Sequence, residues 1–293
     1  MRKLVGTVIV VSVMLSIVAC GKDDDKSEST ITTDVITSGE NVTEEEDTSE
    51  SKSENSDGLS EEELLALPES DAKDFYYKEV EGGILLDGYW TKPNKETIMV
   101  LPNQIDGKEV VELDVKLFFN RYAKAVVINK NNKEIPYQCF QSSHIEKIIL
   151  PEGLESISMD AFYLSHTEEI KLPSTLKTIS SDAFGSSAIK EITIPKNVEI
   201  VSTGAFSLCS NLELVTFEGC PKVSSGAFLL SSNIKRVICL DGNITFADDE
   251  FYDASDWNEA GEGETVDITF VAPAGSKVEQ YAKDRGFKFE ALD

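Results

Sequence analysis

From residue 145 onward, apolar positions recur in a pattern of the form L-x-x-L-x-L. The copies are Ile145, Ile148, Leu150; Thr167, Ile170, Leu172; Ile189, Ile192, Ile194; Leu212, Val215, Phe217; and Ile234, Val237, Cys239. The last two members of each copy flank a single residue, the alternation of a half-buried strand whose middle residue points to the other face. Pro151, Pro173 and Pro195 end three of these strands, where the missing N–H costs no ladder bond. A second apolar pair follows each turn, as in Leu154 and Ile157, Leu176 and Ile179, or Val198 and Val201.

An Ala-Phe step completes the unit. It recurs every 22 residues at Ala161-Phe162, Ala183-Phe184, Ala205-Phe206 and Ala227-Phe228, with Cys139-Phe140 and Leu117-Phe118 in the same register and Phe251 one residue late. A unit this short cannot bury its apolar face alone and must stack on copies of itself, which predicts a solenoid. Ser60-Glu61-Glu62-Glu63 predicts a capping box opening a short helix through Ala66, and Phe75–Val80 with Ile84–Tyr89 predicts a hairpin, together an N-terminal cap. Ser276 with Glu279 predicts a second capped helix, stopped at Gly286, as the C-terminal lid.

The repeats from Leu150-Pro151 through Ala161-Phe162 and their copies resemble the BspA-type leucine-rich repeats of bacterial surface proteins. The likeness covers residues 75–293. It includes an entry segment at Tyr77–Gly83 and Leu101–Lys108, and a closing segment at Gly275–Lys283 and Phe287–Phe289. The resemblance implies a right-handed leucine-rich repeat solenoid with a parallel β-sheet on the concave side, short helical or irregular returns and capping segments. It also implies a binding role, brings no catalytic residues to carry over, and predicts neither enzyme activity nor a cofactor.

Five segments are expected: a signal peptide at 1–19, a tether at 20–63, the N-terminal cap at 64–97, repeats at 98–265 and the closing repeat and helix at 266–293. Arg2 and Lys3 precede an apolar run from Leu4 to Ala19 shaped like a signal-peptide core. Its end, Ile17-Val18-Ala19-Cys20, resembles the bacterial lipobox, so Cys20 is the expected lipid attachment point; a plain secretory signal with an incidental cysteine is the alternative. Acyl chains add about 0.8 kcal/mol per buried CH₂, which would hold the chain on the outer membrane face. Gly21–Glu63 carries 16 Asp or Glu, three Lys and 14 Ser or Thr, a composition that predicts a disordered tether with a reach of roughly 35 Å. It reads as a stalk through the wall or as a solubilising spacer.

Charge excludes one class of partner. The net charge is −26, and Leu64–Asp293 alone holds 37 acidic and 22 basic residues. Nucleic acids and anionic membrane surfaces require clustered Lys and Arg, so membrane contact is expected only through the lipid, and the chain is expected to be a monomer.

The candidate chemistry is sparse. The only histidines, His144 and His166, lie one period apart, as do Glu146 and Glu168. Stacked coils place them in a ladder about 4.8 Å per step, which reads as a weak zinc or pH-sensing candidate or as loop residues inherited with a duplicated repeat. Cys139 and Cys239 read as small core residues, while Cys209 and Cys220 read as a disulfide pair or as free thiols, Cys209 lying where the resembled family often buries a cysteine. Between Phe251 and Val266 the period breaks into an acidic loop with Asp253, Asp256, Trp257 and Glu259, a candidate binding loop. The outward strand row Val127, Ile149, Lys171, Thr193, Thr216 and Ile238, flanked by Lys147, Glu169, Glu191, Leu214 and Arg236, is the expected ligand-facing platform. Two functions follow: a surface lipoprotein binding a protein or glycan in adhesion, or an envelope scaffold capturing another protein of the same cell.

Overall fold

The repeated phenylalanine is the axis of the molecule. In a computed structural model that describes residues 59–247, 251 and 267–292, Phe118, Phe140, Phe162, Phe184, Phe206, Phe228 and Phe251 form one column. Neighbouring ring centroids lie 4.9 to 5.5 Å apart with planes within 14°, and every ring is buried. Each amide from Phe118 to Phe206 donates to the carbonyl of the residue preceding the next phenylalanine, as in Phe162 to Ala183 at 2.7 Å. That close backbone step explains why the preceding residue is alanine or cysteine: Cys139, Ala161, Ala183, Ala205 and Ala227 are fully enclosed, and a larger side chain would separate the coils.

The chain enters through α1 (Glu61–Leu65) and the hairpin β1 (Phe75–Val80) and β2 (Gly83–Tyr89), followed by β3 (Ile98–Val100), β4 (Gln104–Ile105), β5 (Lys108–Leu113) and β6 (Tyr122–Val127). The coils then carry β7 (Glu134–Ile135), β8 (His144–Ile149), β9 (Ser156–Ile157), β10 (Thr178–Ile179), β11 (Glu191–Ile194), β12 (Ile200–Val201), β13 (Leu214–Phe217), β14 (Lys222–Val223) and β15 (Arg236–Cys239). The end is β16 (Thr269–Pro273), α2 (Lys277–Arg285) and β17 (Lys288–Leu292). Front strands form two parallel sheets, β3-β6-β8 and β11-β13-β15-β16-β17, while β7, β9, β10, β12 and β14 form the back sheet. The cap forms a separate sheet in the order β1-β2-β5-β4.

The strand expected at Ile170–Leu172 is absent; residues 167–172 form no strand, and the front sheet splits there. Thr167 stands where the other copies place an aliphatic residue, and its hydroxyl donates to the Ile145 carbonyl at 2.8 Å.

Charge columns run beside the sheets. Lys133, Glu155, Lys177, Glu199 and Lys222 alternate in sign along successive coils, with Lys177 paired to Glu155 at 2.6 Å. A second column pairs Lys190 with Glu168, and Lys235 with Glu213 at 2.7 Å. Exposed pairs of this kind hold weakly in water.

Both ends are capped. Ser60 accepts from the Glu63 N–H at 3.2 Å and donates its own N–H to Glu63 Oε2 at 2.7 Å, the reciprocal box. At α2, Ser276 accepts from the Glu279 N–H, but Glu279 reaches the Gly275 N–H instead, one residue earlier than expected. Gly286, at φ 76°, supplies the left-handed stop. Phe246, Phe251, Phe270, Tyr281 and Phe287 close the core beneath α2.

All four cysteines within the described residues are free thiols, three buried and Cys220 exposed. Cys209 replaces serine in the buried column Ser143, Ser165, Ser187, Ser231, and its thiol donates to the Phe184 carbonyl at 3.1 Å. It therefore fills a polar core position and is not paired with Cys220.

Candidate functional site on the front sheet

Strand register defines the outward face. One row runs Val100, Val127, Ile149 in the first sheet and Thr193, Thr216, Ile238, Val271, Glu290 in the second. A parallel row runs Ile98, Ala125, Lys147 and then Glu191, Leu214, Arg236, Thr269, Lys288. Lys171 stands exposed at the break between them.

The expectation that this whole row faces a ligand needs correction. Val127 and Ile149 retain only 5% and 8% exposure, because α1 lies over them: Leu64 packs with Ala125, Val127 and Ile149, joined by Leu59, Leu67, Ile98 and Val100. Lys147 donates to the Leu59 carbonyl at 3.2 Å, Lys171 pairs with Glu61 at 3.7 Å, and Ser70 exchanges hydrogen bonds with Val100 on the edge strand β3. Ala125–Ile128 is an unbroken apolar run, the composition of a strand buried on both faces, whereas Glu191–Ile194 alternates.

At the far end Arg236 pairs with Glu290 at 2.6 Å, spanning β16, whose outward Val271 is buried. Between this bridge and α1 lies a window in which Lys171, Glu191 and Thr193 are exposed and Leu214, Thr216 and Ile238 are half-buried. An apolar strip of Leu214 and Ile238, threonines beside it and charges at the margin has the composition of a protein interface, apolar in the centre and polar at the rim. Past the strand ends, a shallow groove holds Lys196, Glu218, Asp241, Asn243 and Ser276. There Asp241 accepts from the Asn243 N–H, which holds its carboxyl below the usual range.

The histidines do meet. His144 and His166 stack with centroids 3.8 Å apart, and Tyr122 covers the other face of His144 at 4.4 Å. Burial first, then His166 and Lys95, hold the His144 imidazole below its ordinary value. The rings pack face to face, whereas ligation uses lone pairs in the ring plane, and Glu168 is committed to Lys190. Glu146 is exposed. Among the described residues no group of three or more His, Cys, Asp or Glu is placed to hold a metal.

Cys20 and the loop residues Asp253, Asp256, Trp257 and Glu259 lie outside the described residues. No helix among the described residues is long and apolar enough to cross a membrane.

The family assignment joins these observations. The model of the BspA type leucine rich repeat region matches six copies over residues 110–258. The chain belongs to this family. Its fold is similar to that of the T. pallidum leucine rich repeat protein TpLRR, at TM-score 0.56 and 24% identity, covering 76% of this chain and 98% of that one. A leucine-rich repeat protein from Bacteroides ovatus matches at TM-score 0.47 and 18% identity, over 74% and 66% of the two chains. The pneumococcal vaccine antigen PcpA matches at TM-score 0.42 and 18% identity, over 76% and 49%. Among curated proteins none matches. Leucine-rich repeat proteins of this kind are typically binding scaffolds that take protein partners, and the family points to a surface role.

Proposed function

We propose that this chain is a non-enzymatic surface lipoprotein, held by an acylated Cys20 and an acidic stalk, whose open sheet window binds a protein or glycan ligand. The observation that carries the reading is the window itself: Thr193, Thr216 and Ile238 face outward in register on three adjacent strands, while the equivalent positions on β6 and β8 are occupied by α1. A parallel stack offers such a row by geometry, and Leu214 and Ile238 supply apolar contact within it. Protein ligands suit this composition better than glycans, since charged margins set orientation around an apolar centre.

Immobilised wild-type chain and the Thr193→Asp/Thr216→Asp double variant would be incubated with host mucosal extract and with envelope extract of the parent cell. A ligand held by wild type and lost by the variant, with the variant's circular dichroism unchanged, supports the reading. Retention by the variant removes the window from the model. Capture only from the parent envelope favours the scaffold role over adhesion. The acidic loop at Asp253, Asp256, Trp257 and Glu259 is the competing site, and deleting residues 254–264 should leave capture intact.

A further inference from the structure

The first front sheet is apolar on its outward side, and what lies on it is the five-residue helix α1 with Leu59 and Leu67 beside it. We propose that the outward face of β3, β6 and β8 is a docking surface for a short leucine-bearing helix of a partner protein, with α1 as its resident, displaceable occupant. This rests on reading the sheet face as the binding platform and extends it to the covered part.

The occupant's chemistry is written in what α1 uses. Leu64 enters the face formed by Ala125, Val127 and Ile149, with Leu67 three residues on and Leu59 ahead of the helix. The first turn is acidic throughout, Glu61, Glu62 and Glu63; Glu61 pairs with Lys171 at 3.7 Å, and Lys147 donates to the Leu59 carbonyl just ahead of the turn. A partner helix therefore needs leucines three apart and carboxylates at its start.

Displaceability concerns the helix itself, because the firmer anchors lie after it, where Ser70 exchanges hydrogen bonds with Val100 and Glu69 accepts from Asn103, so residues 69 and 70 would stay as the hinge. Isolated helices shorter than about 12 residues are marginal in water, and α1 has five. Leu64 is its one buried residue, Leu65 points to solvent, and the Glu61–Lys171 pair is exposed on both sides, where such pairs hold weakly. The strands beneath are fixed by parallel ladders on both sides of β6. Local opening takes the weakest unit first, so α1 lifts before the sheet yields. Its departure would extend the apolar surface past Lys171 into the Thr193–Ile238 window.

The test uses the full chain, wild type and Leu64→Asp, and a fluorescein-labelled synthetic peptide of residues 58–70, read by fluorescence anisotropy. The Leu64→Asp chain should bind the peptide at least about tenfold more tightly than wild type, whose own α1 competes. Adding Ile149→Asp should abolish that binding, and a peptide carrying Leu64→Asp should bind neither chain. A Leu64→Asp chain of unchanged circular dichroism that binds no better than wild type overturns the proposal. If that variant loses its fold, hydrogen exchange on wild type decides: Leu64 and Ala66 amides exchanging at least about a hundredfold faster than Phe184 support it, and exchange together with the core overturns it. Concentration-dependent dimers of wild type that vanish in Leu64→Asp would make the occupant a second copy's α1 and overturn the assignment to a separate partner. The Thr193→Asp/Thr216→Asp chain with Leu64→Asp added should still bind the peptide, so failure of the window and failure of this face are separable.

Discussion

Replacing Phe184 by alanine tests the packing of the whole solenoid. The ring is 1% exposed and stacks between Phe162 at 4.9 Å and Phe206 at 5.1 Å, nearly parallel to both. Truncation removes the ring from a fully enclosed site and leaves a cavity that the stacked backbones cannot close, because the coil spacing is fixed by bonds such as Phe184 N–H to Ala205 at 2.8 Å. The expected loss is about 3 to 5 kcal/mol from transfer and cavity terms, with the two ring contacts contributing toward the upper end. In a solenoid each repeat interacts only with its neighbours, so both interfaces of that coil weaken together. Phe251, which the sequence places beside an irregular loop, would be expected to lose less. The structure instead surrounds it with Phe228, Phe246 and Phe270 at 5.3 to 5.5 Å, so Phe251→Ala should lose a comparable amount. Guanidinium melts followed by far-UV circular dichroism measure both. A Phe184→Ala loss below about 1 kcal/mol at unchanged slope would contradict a closed, load-sharing aromatic column.

Three further outcomes are expected. Asn132 is fully buried in the column occupied one, two and three coils later by Leu154, Leu176 and Val198, and neither of its side-chain polar atoms has a partner; Asn132→Leu should therefore stabilise by about 1 to 3 kcal/mol in the same melts, and a loss would reveal a bound partner for the amide. His144 is held below its ordinary value of 6.5, so the unfolded chain takes up its proton first, and stability should fall as pH drops from there through the lowered folded value; His144→Gln should flatten that part of the stability profile while leaving the carboxylate-driven loss at lower pH. Cys20→Ala should move the protein from the membrane fraction to the supernatant, and a variant still membrane-bound after leader removal would rule out the lipid as anchor.

The sequence alone determined the repeat and the inward column, because a 22-residue period puts buried positions at fixed offsets in every coil, and the coil contact before each phenylalanine from Phe140 to Phe228 admits only a small residue, alanine or Cys139. It determined both caps as well, since capping boxes and left-handed glycine stops are local chemistry. The distant packing was decided only in three dimensions. Residues 59–70 meet β6 and β8 from far along the chain, 88 positions away in the case of Lys147 to Leu59, and no local rule relates the two segments. The break at residues 167–172 was likewise tertiary: the apolar pattern continues through Ile170 and Leu172, yet these residues form no ladder, while the Thr167 hydroxyl donates to the Ile145 carbonyl of the preceding coil. The face left open is thus set less by the outward residues than by what else in the fold comes to rest on them.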